Sequence, residues 1–114
     1  MTPESLFAAL SDPTRLKAVM LIRAGGELCV CELTSALEEI QPKVSRHLAV
    51  LRNTGVVNSR RDGRWIHYSL NPVLPEWADI IIEQACEQRA ADPRYPKEQQ
   101  TQILTSPAGK VVCD

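Results

Sequence analysis

Residues 56–70, VVNSRRDGRWIHYSL, place two β-prone runs on either side of Asp62-Gly63. A two-residue Asp-Gly connection between such runs is the strongest short-range hairpin signal a sequence offers. The segment before it has a different period. Gln41-Pro42 puts proline in a first helical turn, and Val44, Leu48 and Leu51 follow at i, i+4 and i+7, so they bury one stripe before Gly55 closes the helix. Lys43, Arg46 and Ala49 fall on the opposite face, with Ser45 and His47 on its flanks.

Earlier helices are marked in the same way. Leu6, Phe7 and Leu10 have helical spacing from Pro3 onward, and SDPTR offers Asp12 as an N-cap with Pro13 at the first helical position. Leu16, Val19 and Met20 line the next helix, which Gly25-Gly26 stops. A third helix is expected to open at Cys29 and Cys31 and run through Leu33, Ala36 and Leu37 to about Glu39. After the hairpin, Asn71-Pro72 and Pro75 break the chain, and PEWADIIIEQACEQRA reads as a last helix. The expected class is α+β, mainly α: about five helices with a two-stranded β-hairpin. Helix, short turn, helix and basic hairpin is the winged helix-turn-helix arrangement.

The 114 residues suit one domain. Residues 1–92 should form it, and 93–114, polar and proline-punctuated, are expected to be a flexible tail. No apolar run approaches the roughly 18 residues a membrane span needs, and MTPESLFAAL lacks the basic region of a signal peptide, so a cytoplasmic protein with no membrane partner is expected. The net charge of −1 hides an uneven distribution: residues 41–73 carry Lys43, Arg46, Arg52, Arg60, Arg61 and Arg64 against Asp62 alone. A basic segment between acidic ones supplies the local field that a phosphate backbone requires.

In a winged helix the helix from Pro42 would enter the major groove of double-stranded DNA, and the hairpin would reach neighbouring phosphates or a minor groove. Gln41 can pair with adenine, Lys43 and Arg46 with guanine edges or phosphates, and Ser45 and His47 with either. Arg60, Arg61 and Arg64 gather near the hairpin tip. The competing reading, that these charges are only a solvated face, loses weight because the basic helix and the basic hairpin are adjacent.

ELCVCEL, residues 27–33, carries the remaining chemistry. In a reducing compartment Cys29, Cys31, Cys86 and Cys113 do not suggest a disulfide framework. Cys29 takes the cap position and Glu32 the third after it, a capping box with sulfur where Ser or Thr would be stabilising. A helix N-terminus is expected to lower the cysteine pKa, and thiolates select soft ions. Side chains two apart on a helix face nearly opposite sides, so both sulfurs meet on one centre only if the first turn unwinds. The bland alternative is two small buried hydrophobes.

The order of elements and the strings ELCVCEL, QPKVSRHLAVLRNTGVV and DGRWIHYSLNP resemble the ArsR/SmtB family of metal-responsive bacterial repressors, above all its arsenic-responsive members, over about residues 3–90. The resemblance implies a homodimer that needs no cofactor to bind its operator and leaves when trivalent arsenic or antimony binds Cys29 and Cys31. Arsenic-responsive members place a third cysteine where this chain has Thr34. A third ligand would then come from Cys86, Cys113, solvent or a small thiol. The final-helix zinc sites of the family have no counterpart here, since Asp79 and Glu83 stand without a histidine. A cadmium- or lead-responsive repressor, a thiol-redox-responsive repressor and, from another class, a small thiol oxidoreductase are the alternatives. His67 is expected to be a satisfied histidine, Trp65 and Tyr68 to pack the hairpin onto the body, and Trp77 to join Leu6, Phe7 and Leu10 in the core or a dimer contact.

Overall fold

The computed structural model describes residues 1–94. Helices α1 (Pro3–Leu10) and α2 (Pro13–Gly25) are followed by a short strand β1 (Glu27–Cys29), helix α3 (Val30–Leu37), helix α4 (Gln41–Thr54), the hairpin β2 (Val57–Asp62) and β3 (Trp65–Leu70), and helix α5 (Glu76–Ala91). The helix starts follow the caps in the sequence. Thr2 and Ser5 form a capping box on α1, and Asp12 Oδ1 accepts from the N–H groups of Thr14 and Arg15 at 2.8 and 3.0 Å on α2. Gly26, at φ +85°, takes the backbone out of α2 in a conformation that L side chains rarely adopt.

The core is apolar throughout. Leu6 and Ala9 of α1, Val19, Leu21 and Ile22 of α2, Leu33 of α3 and Ile82 of α5 converge on the α4 stripe of Val44, Leu48 and Leu51, all buried. Each large side chain so buried contributes roughly 1.5–3 kcal/mol. The turn between α3 and α4 is made by Glu38, the one non-glycine residue with positive φ among the described residues, at φ 55° and ψ 41°. The Asn71 side-chain amide donates to Gly55 O at 3.0 Å and its backbone N–H to Val56 O at 3.0 Å, tying the far end of the hairpin back to the end of α4.

Three details differ from expectation. The sheet has three strands in the order β1-β3-β2, all antiparallel, because Glu27, Leu28 and Cys29 pair with Ser69, Tyr68 and His67. Asp62 pairs with Trp65, so the two turn residues are Gly63 and Arg64 rather than Asp62 and Gly63. Gly63 alone of the pair has positive φ, +62°, the pattern of a type II′ turn, which asks for glycine at its first central position. Helix α3 stops at Leu37, two residues short of the expected end. Trp65 is half-buried while Tyr68 is buried in the core, and Phe7 and Trp77 lie on the surface.

Candidate DNA-facing surface and thiol site

Along α4 the polar residues separate into two groups. Gln41, Ser45 and Arg46 are exposed. Lys43 is engaged one turn back, its Nζ 3.0 Å from Glu39 Oε1. His47 turns inward: its side chain is 16% exposed, its Nε2 lies 3.9 Å from Asp12 Oδ1, and its Nδ1 is 3.3 Å from Arg15 Nη1. Arginine can only donate, so Nδ1 stands where it can accept from Arg15. Burial alone would raise the Asp12 carboxyl, but the N–H groups of Arg15 and Thr14, with the neighbouring His47 and Arg15 side chains, outweigh it and hold the pKa below the ordinary value.

The hairpin arginines also divide. Arg64 is a turn residue and exposed, and Arg61, two residues before Gly63, donates its Nε–H to Gly63 O at 3.0 Å. Arg60 stands one position further from the tip, opposite His67, and reaches across β3 to Glu27: Nη2 to Oε1 is 2.7 Å and Nε to Oε2 is 3.3 Å. This guanidinium holds the Glu27 carboxyl below its usual range. The ion pair spans the sheet from β2 to β1.

Cys29 occupies the hinge between β1 and α3. It ends the strand opposite His67 and serves as N-cap, its Sγ accepting from the Glu32 N–H at 3.5 Å while Glu32 Oε1 accepts from the Cys29 N–H at 3.0 Å. The capping box expected from the sequence is therefore complete, with sulfur in the cap. Cys31 is the second residue of α3 and half-buried. The pKa expectation is corrected for Cys29. Burial pushes its thiol above the ordinary value, and the N–H groups of Glu32 and Cys31, which pull the other way, do not offset it. Cys29 is 4% exposed, and the cost of taking a thiolate out of water outweighs what the N–H groups at the helix start return.

Of the candidates for a third ligand, Thr34 lies on α3 and Cys86 on α5. Thr34 Oγ1 donates to Val30 O of its own helix at 2.7 Å. Cys86 is buried in the core on α5, with its thiol pushed up to about 11 by burial. Cys113 lies outside the described residues. Among the described residues no group of three or more His, Cys, Asp or Glu side chains is placed to hold a metal ion. Two signals escaped the sequence reading: β1, whose partner lies in the hairpin, and the inward turn of His47, whose partner Arg15 sits on α2.

A helix pair presenting one polar face beside a basic hairpin defines a winged-helix DNA-binding regulator, and comparison with known proteins gives the same class. The sequence profile of bacterial regulatory proteins of the arsR family matches residues 12–59. The arsenical resistance operon repressor of Escherichia coli K12 is 51% identical over 90 residues, covering 77% of each chain. Among solved structures, HlyU from Vibrio cholerae superposes with a TM-score of 0.66 at 32% identity, over 75% of this chain and 88% of the other. The antimony-specific transcriptional repressor AntR superposes with a TM-score of 0.62 at 28% identity, over 75% of this chain and 76% of the other. The chain belongs to the arsR family of bacterial regulatory proteins. No helix among the described residues is long and apolar enough to cross a membrane.

Proposed function

We propose that this protein is the homodimeric repressor of an arsenical-resistance operon, and that it leaves its operator when trivalent arsenic or antimony joins Cys29 to Cys31. The observation that carries the reading is the position of the two cysteines: they flank the first residue of α3, the helix whose C-terminal turn leads into α4. The names of the similar repressors agree with it.

The chemistry suits a protonated thiol at Cys29. Arsenite is As(OH)3 at neutral pH, and each thiol that replaces a hydroxide forms an As–S bond while its proton leaves with that hydroxide as water. Two such steps give a dithiolate As–OH and two waters, with no change in oxidation state and no net proton release. A divalent cation must instead displace each thiol proton into solution. Joining the two sulfurs would draw Cys29 Sγ away from the Glu32 N–H that it caps, and so loosen the first turn of α3. The C-terminal end of α3 and the turn at Glu38 then shift, and α4 with them.

On DNA, Gln41, Ser45 and Arg46 would meet base edges and phosphates, and Arg61 and Arg64 would reach the flanking backbone. Lys43 and Arg60 would contribute by exchanging Glu39 and Glu27 for phosphate. Phe7, Trp77 and Ile80, 55%, 37% and 50% exposed, are large apolar side chains on α1 and α5 that a second copy would cover.

The test is release of the reduced protein from a labelled duplex, followed by anisotropy, on adding arsenite, phenylarsine oxide, Cd(II), Zn(II) or peroxide. Release by the arsenicals, lost in Cys29→Ser and in Cys31→Ser while DNA binding persists, is expected. Retention in the presence of every arsenical overturns the proposal; release by cadmium alone or by peroxide alone replaces it with a cadmium or thiol-redox sensor. A Cys113→Ser variant reports whether that thiol completes the site.

A further inference from the structure

Each of the three guanidinium nitrogens of Arg15 makes a contact. Nε donates to Ala9 O at 2.7 Å, Nη2 to Ala8 O at 3.2 Å, and Nη1 to His47 Nδ1 at 3.3 Å. The first two acceptors are among the last carbonyls of α1, which a helix end leaves without partners inside the helix. The third is a side chain of α4. A planar fork with three fixed donors holds its acceptors in one relative arrangement, which a flexible ammonium cannot do. Asp12, the cap of α2, closes the assembly from the other side of the imidazole.

We propose that His47 acts on DNA without touching it: Arg15 and His47 form a strut that sets the angle of α4 against α1, and so fixes how the two copies of α4 in a dimer present themselves to successive major grooves. The inference rests on the reading of α4 as the DNA-facing helix. Two independent observations carry it. The His47 side chain is turned into the body while its neighbours Ser45 and Arg46 face out, and Arg15 links it to the helix that carries the exposed Phe7. His47 is thus a positioning residue.

The test uses the full chain and a duplex that the wild-type protein itself selects from random sequence, with affinity measured over a range of salt. His47→Ala and Arg15→Lys should each weaken binding about tenfold, as expected for loss of a coupling of ordinary size. The slope of log affinity against log salt should stay at the wild-type value, because no phosphate contact is lost. His47→Gln, whose side-chain oxygen can accept from Arg15, should recover most of the loss, and the double variant should bind no worse than the weaker single one. A slope that falls by about one in His47→Ala identifies a direct phosphate contact and overturns the proposal. So does unchanged affinity of folded His47→Ala, or, should that variant not fold, a His47→Gln protein that is folded and binds no better than Arg15→Lys. Arg46→Ala separates this from failure of the underlying reading: if it leaves affinity and salt slope untouched, α4 does not face DNA, whereas a weakened Arg46→Ala beside a normal His47→Ala removes the strut alone.

Discussion

Cys29 and Cys86 are equally buried, 4% exposed each, and burial pushes both thiols up, yet only one stands where chemistry can follow. Cys86 lies inside a helix of the core, with helical backbone before and after it. Cys29 lies where a strand becomes a helix, bonded through its sulfur to the Glu32 N–H and facing His67 across the sheet. The difference teaches that equal burial can go with unequal settings: Cys86 sits inside a continuous helix, Cys29 at a junction between strand and helix. A capping sulfur 3.5 Å from its donor is a weak anchor, and the turn it holds can be given up.

The strongest way to break this comparison is alkaline stability. Cys86, near 9 when unfolded and at about 11 when folded, favours the folded state fully below pH 9 and loses that support as pH rises through 11. The loss should be on the order of 2–3 kcal/mol in urea unfolding, and it should vanish in Cys86→Ala. A smaller change comes from polarity alone. Cys86→Ser puts a hydroxyl into the apolar core and should cost about 1–2 kcal/mol at neutral pH by the same measurement.

At Cys29 the comparison is sharpened through ligands. Because its thiol is protonated at neutral pH, Cd(II) affinity should rise up to about tenfold per pH unit for the proton displaced there, whereas arsenite affinity should stay flat between about pH 6 and 8; competition titrations at several pH values distinguish the two. A cadmium affinity indifferent to pH would show that Cys29 is not the group displaced. The smallest effect concerns the cap. Cys29→Ser should raise stability by about 0.5 kcal/mol in urea, since oxygen caps a helix better than sulfur. Ser at Cys86 destabilising while Ser at Cys29 stabilises is the signature of the two environments.

The helices were legible because their signals are local. Asp12, Pro13 and the Val44, Leu48, Leu51 stripe need only neighbours within two turns, and the Cys29–Glu32 capping box spans four residues. What escaped depends on partners far along the chain. Strand β1 is three residues long and is a strand only because β3 lies beside it. Glu27, which pairs with Arg60 across the sheet, and Arg15, which meets His47, stand 33 and 32 residues away along the chain. The one-residue shift of the hairpin turn has a register cause: Asp62 is held opposite Trp65, which leaves Gly63 to supply the positive φ.

That pairing of β1 with β3 also orders events during folding. Residue 29 takes its extended backbone from residue 67, so the strand-to-helix junction that presents the first sulfur cannot be complete until the last strand of the hairpin has been made and has folded back. A nascent chain that has reached only the end of α4 holds its cysteines without the junction. The strand-to-helix junction and the hairpin therefore mature together.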